Sequence, residues 1–203
     1  FTKYFALHFE EYGIKKLIST SYAPMANQAA AFYQPTLFET ESPDYVEDKS
    51  LNRGRKSTLV PEDLDGDGKI NIDDLRWEYL DGDGDFRSSE VRALRDEADI
   101  IVTNPPFSLF REFLTWLVEG KVEFSIIGNT NAITYREVFP LIKSNEIWLG
   151  ATGNSTDMVF AVPPGSAVKE SDRLKAEKMG YKGDYTRLGN SCWFTNIEHG
   201  RRH

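Results

Sequence analysis

Four consecutive residues in the middle of the chain combine hydrogen-bond acceptors with a flat apolar surface. Asn104, Pro105, Pro106 and Phe107 directly follow the apolar run 99–103. Two prolines remove two backbone donors and stiffen the turn, so the Asn104 side-chain oxygen and the Pro105 carbonyl face a ligand as acceptors. Two acceptors can hold both hydrogens of an amino group on an aromatic ring, while Phe107 stacks on that ring. They also favour a tetrahedral nitrogen, whose lone pair is then free to attack a methyl group.

A Pro-Pro turn can also do no more than end a strand, and the tripeptide alone does not separate the two interpretations. The apolar strand before the turn and the aromatic residue after it favour the chemical one. Ligands of open α/β sheets bind beyond the carboxyl ends of the strands, and the turn lies at such an end.

Asp85 and Phe86 follow Gly84 one predicted helix and one predicted strand upstream of Asn104. This spacing places Asp85 at a neighbouring strand end, facing the same crevice as Asn104. A carboxylate there can accept a hydrogen bond from the adenine amino group of a cofactor, and Phe86 can pack on the adenine ring. The alternative is one more solvated acid in an acidic loop.

Residues 63–74 match the twelve-residue calcium-loop pattern of the EF-hand and dockerin kind. Its ligand positions are filled by Asp63, Asp65, Asp67, Lys69 (through its carbonyl) and Asp74. Asp74 stands where Glu is usual, and its shorter reach weakens the site. We expect a helix to leave the loop from Asp73 to Leu80. A solvated acidic turn that binds no metal is the alternative, and any Ca²⁺ bound in cytoplasm would be structural.

The elements that position these residues alternate between strands and helices. The predicted strands are 16–20, 99–103, 121–128, 146–149, 158–162 and 193–196. The predicted helices are 1–12, 88–97 with a Ser88 or Ser89 cap, one that begins at Ser108, and 134–144. The helix from Ser108 is amphipathic, with Phe110, Phe113, Leu114 and Leu117 on one face. This alternation predicts an α/β sheet with right-handed crossovers, with 99–103 buried on both faces. Residues 165–187 are predicted to be a surface loop, whose basic residues either contact phosphates or are simply solvated.

Composition indicates one cytoplasmic domain with insertions. The net charge of −8 resides in residues 61–90, and the remainder carries 21 acidic and 21 basic residues, so a DNA-binding face is not excluded. Cys192 is the only cysteine, which rules out an internal disulfide. No apolar run is long enough to span a membrane.

Gly84-Asp85-Phe86 followed by 99–107 resembles the amino-methyltransferases of the class I Rossmann-like fold. The wider sequence resembles the EcoRI-type adenine-specific DNA methyltransferases over about half of the chain. The matching segments are 15–20, 82–88, 98–111, 127–135, 139–143, 147–150 and 189–203.

The resemblance implies a mostly parallel sheet with helices on both faces, S-adenosyl-L-methionine as cofactor, and double-stranded DNA as substrate. Asn104, Pro105, Pro106 and Phe107 would then hold a flipped adenine. Asp85 and Phe86 would contact the cofactor adenine, and Asn129 and Asn131 would border the substrate pocket.

The family carries a cofactor-binding loop before its first helix, and this chain begins after that place. An acid that holds the cofactor ribose usually follows the strand that contains Leu17 and Ile18, whereas here 19–22 read Ser-Thr-Ser-Tyr. We therefore expect a single partial catalytic domain, 1–203, that lacks the first strand and cofactor loop. An insertion of about 23–81 would hold the calcium-loop segment.

Other functions stay open. Asn-Pro-Pro-aromatic sites also serve methyltransferases of RNA and of protein glutamine. The chain could instead be a calcium-binding interaction module on an inactive scaffold. A cognate restriction endonuclease is compatible with the resemblance, which implies no direct protein partner.

Overall fold

The computed structural model describes residues 1–23, 45–151 and 158–202. The chain forms two compact units, Phe1–Glu97 and Ala98–His203. Part of the expected insertion, residues 24–44, lies outside the described residues, and the single catalytic domain stays a prediction. No helix among the described residues is long and apolar enough to cross a membrane.

The first unit contains a three-stranded antiparallel sheet in the order β1-β2-β3. Its strands are β1 (Leu17–Ser21), β2 (Arg55–Leu59) and β3 (Arg76–Tyr79). The predicted helix from Asp73 to Leu80 is wrong, because a 3-10 turn (Ile72–Asp74) leads directly into β3. In β3, buried Trp77 alternates with exposed Arg76 and Glu78, which is the period of a strand. Two strands that lie within the expected insertion, β2 and β3, are therefore part of this sheet.

Three helices accompany that sheet: α1 (Thr2–Leu7), α2 (Glu47–Asn52) and α3 (Ser89–Glu97). Helix α1 is shorter than the predicted 1–12, because turns replace it after Leu7, up to Gly13 at φ 64°. Helix α3 is confirmed, and the Val91 N–H donates to the Ser88 hydroxyl at 3.2 Å as an N-cap. The core of this unit includes Ala6, Phe9 and Leu59.

The second unit contains a four-stranded sheet in the order β4-β5-β9-β6. Its strands are β4 (Ile100–Thr103), β5 (Glu123–Asn129), β6 (Trp148–Leu149) and β9 (Ser191–Thr195). Strands β4 and β5 are parallel, whereas β9 is antiparallel to both β5 and β6. Strands β4, β5 and β6 therefore run in one direction. The predicted strands 99–103, 121–128, 146–149 and 193–196 are confirmed with small shifts at their ends.

Two features of this sheet correct the sequence-based expectations. β4 with β5 is the only parallel pair in the described part of the chain, so the expected mostly parallel pairing is not found there: β9 separates β5 from β6. Strand β4 is also not buried on both faces, because it lies at the sheet edge and Ile100 is 51% exposed.

Helix α4 (Phe110–Gly120) connects β4 to β5, after a 3-10 turn (Phe107–Leu109). Its buried residues Phe110, Leu114 and Leu117 confirm the predicted apolar face. The predicted helix 134–144 is shorter, because only α5 (Phe139–Lys143) is helical there, with a 3-10 turn at Thr130–Thr134.

A separate two-stranded antiparallel sheet pairs β7 (Met158–Ala161) with β8 (Tyr185–Leu188). Strand β7 is therefore not part of the four-stranded sheet. The loop predicted for 165–187 contains helix α6 (Glu170–Lys178). This helix has acids in its first turn and lysines in its last, an arrangement that stabilises a helix without an apolar stripe. Two arginines of the predicted basic face are ion-paired, Arg173 with Glu170 and Arg187 with Asp172.

Candidate active site at the end of strand β4

Asn104 leaves the carboxyl end of β4 and is exposed. No other residue of the described chain forms a hydrogen bond with its side-chain amide or with the Pro105 carbonyl. The Pro106 carbonyl accepts from the Leu109 N–H at 2.9 Å and thereby starts the 3-10 turn. Within the described ranges, both oxygens that the sequence assigns to an amino group are therefore available to a ligand.

The two prolines and Phe107 differ in exposure. Pro105 is buried, Pro106 is exposed, and Phe107 is 45% exposed. An exposed aromatic ring can stack on a planar ligand, and the role of Phe107 at such a ligand stays a prediction.

Asn129 is the last residue of strand β5, at the end of the sheet where the carboxyl ends of β4 and β5 lie. Thr103 pairs with Ile126 in the parallel register, so both strands leave the sheet in one direction. The Asn129 side-chain oxygen accepts from the Asn131 N–H at 2.9 Å, which caps the 3-10 turn, and Asn131 is exposed. Asn104 and Asn129 thus lie at the carboxyl ends of neighbouring parallel strands, and the Asn129 side-chain oxygen already accepts a hydrogen bond.

An arginine that sequence reasoning did not single out lies at this end of the sheet as well. Arg111, in the first turn of α4, holds its guanidinium carbon 5.4 Å from the centre of the Tyr135 ring. Tyr135 follows the 3-10 turn after Asn129. The available signal was an arginine placed shortly after Phe107 on an amphipathic helix.

Asp85 and Phe86 belong to the first unit, whereas Asn104 belongs to the second, so the expected proximity of the two motifs stays a prediction. The Asp85 carboxylate accepts from Arg87, at 2.9 Å from Nε and 2.7 Å from Nη2. Hydrogen bonding to Arg87 holds the pKa of Asp85 below its usual range, although burial opposes the shift. Phe86 is only 6% exposed.

The backbone before Asp85 is held tightly. Gly84 has a φ of 85°, and a Cβ atom there would lie 2.6 Å from the Ser21 carbonyl oxygen. The Ala23 N–H also donates to the Asp83 carbonyl at 2.7 Å. Only glycine fits at position 84, so the loop that presents Asp85 has a fixed shape.

Three of the predicted calcium ligands lie together. Carboxylate oxygens of Asp63, Asp65 and Asp67 lie within 4.8 Å of one another, and all three residues are exposed. Asp63 also accepts from the backbone N–H groups of Gly66 and Gly68, at 2.6 and 2.8 Å.

The other two predicted ligands are not in that group. The group of carboxylates close enough to share an ion, as found in the described residues, does not include Asp74, and Lys69 has no side-chain oxygen to offer. Asp74 instead accepts from the N–H groups of Leu64 at 2.7 Å and Asn71 at 2.9 Å. These bonds hold the pKa of Asp74 below its usual range. Its carboxylate closes the loop.

Comparison with known proteins adds relatives whose names state an activity. The chain is 37% identical to the Type II methyltransferase M.EcoRI of Escherichia coli over 208 residues, which is 100% of this chain and 56% of that protein. It is 30% identical to the Type II methyltransferase M.MpnI of Mycoplasma pneumoniae over 199 residues, 98% of this chain and 50% of the relative. The chain thus spans about half the length of these relatives.

No solved structure is significantly similar to the chain. The family model described as "Adenine-specific methyltransferase EcoRI" matches residues 1–203. Because this match covers residues 1–203, the chain belongs to the EcoRI adenine-specific methyltransferase family.

Proposed function

We propose that the protein transfers a methyl group from S-adenosyl-L-methionine to N6 of adenine in double-stranded DNA, in the cytoplasm, as the modification enzyme of a restriction–modification system. The observation that carries this proposal is the exposed Asn104 amide at the end of β4, beside the Pro105 carbonyl, to which no residue in the described ranges donates a hydrogen bond. Membership of an adenine-specific family supports adenine as the acceptor.

The reactive amino group of adenine is inaccessible inside the base stack, so the base must be extruded from the duplex first. In this proposal Asn104 and Pro105 accept the two amino hydrogens of the extruded base, and Phe107 covers one face of its ring. Because both acceptors favour a tetrahedral nitrogen, they stabilise the charge that develops during attack. Asn129 and Asn131 border the pocket from the neighbouring strand.

The cofactor supplies an electrophilic methyl group when bound. Asp85 fits a role at its adenine amino group, because the carboxylate is ionised at neutral pH and its side chain is still 23% exposed. Any such contact has to be shared with Arg87. Phe86 offers little free ring surface at 6% exposure, so the residues described supply a cofactor acceptor rather than a complete cofactor site.

The test measures transfer of a labelled methyl group by the full-length protein to DNA, RNA and protein acceptors. We expect labelling of DNA adenine, and a loss of about a hundredfold or more in kcat for Asn104→Ala, on the scale of lost transition-state hydrogen bonds. Asn52→Ala, which removes an exposed amide from the end of α2, serves as the matched control.

Each alternative predicts a different result of this assay. Labelling of RNA or of protein glutamine, with DNA unlabelled, would reassign the substrate. A full-length protein that does not bind the cofactor at all would indicate an inactive scaffold. An Asn104→Ala variant that labels DNA at the parent rate would remove the assigned site.

A second candidate function is calcium binding by the 63–74 loop, which is favoured by the close approach of Asp63, Asp65 and Asp67. Ca²⁺ takes six to eight oxygen ligands, so three carboxylates do not complete its coordination shell. The remaining ligands must be either Asp74, after it gives up a backbone hydrogen bond, or water. Isothermal titration of the metal-free protein with Ca²⁺ tests this candidate. A flat titration excludes it, whereas heat that disappears in Asp65→Asn supports it.

A further inference from the structure

Arg111 contacts an aromatic ring and, among the described residues, forms no ion pair with a carboxylate. Its side chain is exposed in the first turn of α4, and its guanidinium lies over the Tyr135 ring. Two other arginines of the second unit have acidic partners, Arg173 with Glu170 at 2.6 Å and Arg202 with Glu198 at 2.8 Å. No ion pair joins Arg111 to an acid anywhere in the described ranges.

A cation–π contact with an aromatic ring acts between the positive charge and the ring, so it uses none of the five N–H donors of the guanidinium as conventional hydrogen bonds. The ring also restricts the side chain, so less conformational entropy is lost when a ligand binds. The Arg111 guanidinium is exposed, and no described residue accepts a hydrogen bond from it, so it suits bidentate binding of a phosphate.

The position of the pair connects it to the candidate site. Arg111 is the second residue of helix α4, which follows Phe107, and Tyr135 follows the segment that starts at Asn129. These two segments leave the carboxyl ends of the neighbouring parallel strands β4 and β5. The pair therefore links the segments that follow β4 and β5, and the segment after β4 begins with Asn104.

We propose that Arg111 binds a backbone phosphate of the DNA strand that carries the target adenine, and that Tyr135 orients its guanidinium. The proposal rests on the proposed function, because it takes DNA as the substrate. Base extrusion turns a nucleotide about its own backbone, and contacts to phosphates fix the position of the protein on that backbone. Arg111 is thus a positioning residue that affects DNA binding and leaves cofactor binding unchanged.

The experiment compares the salt dependence of DNA binding for the full-length protein and for Arg111→Gln. A fluorescent random-sequence duplex is titrated at several salt concentrations, and log Kd is plotted against log salt. Loss of one phosphate contact lowers the steepness of that plot by about 0.9. Lys143→Gln is the matched control, since it removes the same charge from an exposed position at the end of α5. We expect this control to keep the parent slope.

Two further variants separate a phosphate contact from a structural role. Tyr135→Phe keeps the ring and should bind DNA as the parent does, whereas Tyr135→Leu should weaken binding. Arg111→Lys keeps the charge, so it should retain the slope but bind more weakly, because an ammonium does not form the bidentate contact.

The outcomes distinguish this inference from the function on which it rests. The inference is overturned if the parent and Arg111→Gln give the same slope of log Kd against log salt. It is also overturned if Lys143→Gln lowers that slope as much as Arg111→Gln does. Failure of the parent protein to methylate DNA overturns the proposed function, and the slopes are still measured independently of methyl transfer.

Discussion

A methyl group added at Gly128 tests how tightly strand β5 is packed beneath the candidate site. Gly128 is buried in β5, one residue before Asn129. A Cβ atom built there would lie 2.3 Å from Cε2 of Phe110 and 2.9 Å from Cε2 of Phe194. These two rings are 2% and 0% exposed, and their centres are 5.0 Å apart. Neither ring can move into solvent to make room.

The distance to Phe110 is more than an ångström shorter than an ordinary carbon–carbon contact. Gly128→Ala must therefore displace the Phe110 ring or bend β5, and overpacking of this kind costs about 1–3 kcal/mol. We expect a value near the upper end, about 3 kcal/mol, because two buried rings are affected. Phe110→Leu should relieve part of the clash, so the double variant should be more stable than the sum of the single effects predicts, by about 1 kcal/mol.

Urea unfolding followed by tryptophan fluorescence measures the change, and hydrogen exchange of the β5 amides locates it. Gly82→Ala is the control, because the nearest atom to its added Cβ atom is 4.0 Å away and its backbone is not left-handed. If Gly128→Ala unfolds at the same urea concentration as Gly82→Ala, the packing described for β5, Phe110 and Phe194 is incorrect.

Three further predictions concern separate features. The pKa of Asp74 is lower in the folded protein than its usual 3.8, so the ionised carboxylate stabilises the fold fully above pH 3.8 and this effect is lost as the pH falls through the folded pKa. The difference in unfolding free energy between the parent and Asp74→Asn should therefore shrink in acid. A difference that does not change with pH contradicts this prediction. Burial raises the pKa of the Cys192 thiol, so a thiol reagent at pH 8 should label the native protein slowly and the denatured protein at once; equal rates would refute this. The Arg202 guanidinium lies 3.9 Å from the centre of the Trp148 ring, so Arg202→Gln should destabilise the protein by roughly 1 kcal/mol in urea unfolding, whereas an unchanged midpoint would show that the contact adds nothing.

Sequence patterns were sufficient for the elements that carry the candidate site. The apolar run before Asn104 predicts strand β4, and the spacing of Phe110, Leu114 and Leu117 predicts helix α4. Both signals are local, because the strand and the helix each arise from neighbouring residues in the chain. The exposure of Asn104 follows from the turn that the two prolines enforce.

Non-local features were not predictable in the same way. Strand β9 lies between β5 and β6, and this order depends on pairing between segments that are far apart in the chain. The local sequence of a strand does not determine which strand it pairs with. The contact between Arg111 and Tyr135 has the same origin. Helix α6 was missed for another reason: Ala176 is its one buried residue, so no apolar period marks it.

The place of β9 in the sheet also bears on how the protein is made in the cell. During translation β4, β5 and β6 leave the ribosome before Ser191–Thr195 has been synthesised, so β5 carries an unpaired edge throughout that interval. Closing so long a loop is slow, which lengthens the exposure to other nascent chains. Chains that are cleaved or arrested before Ser191 keep this edge open, and we expect them to be recovered bound to chaperones or in inclusion bodies.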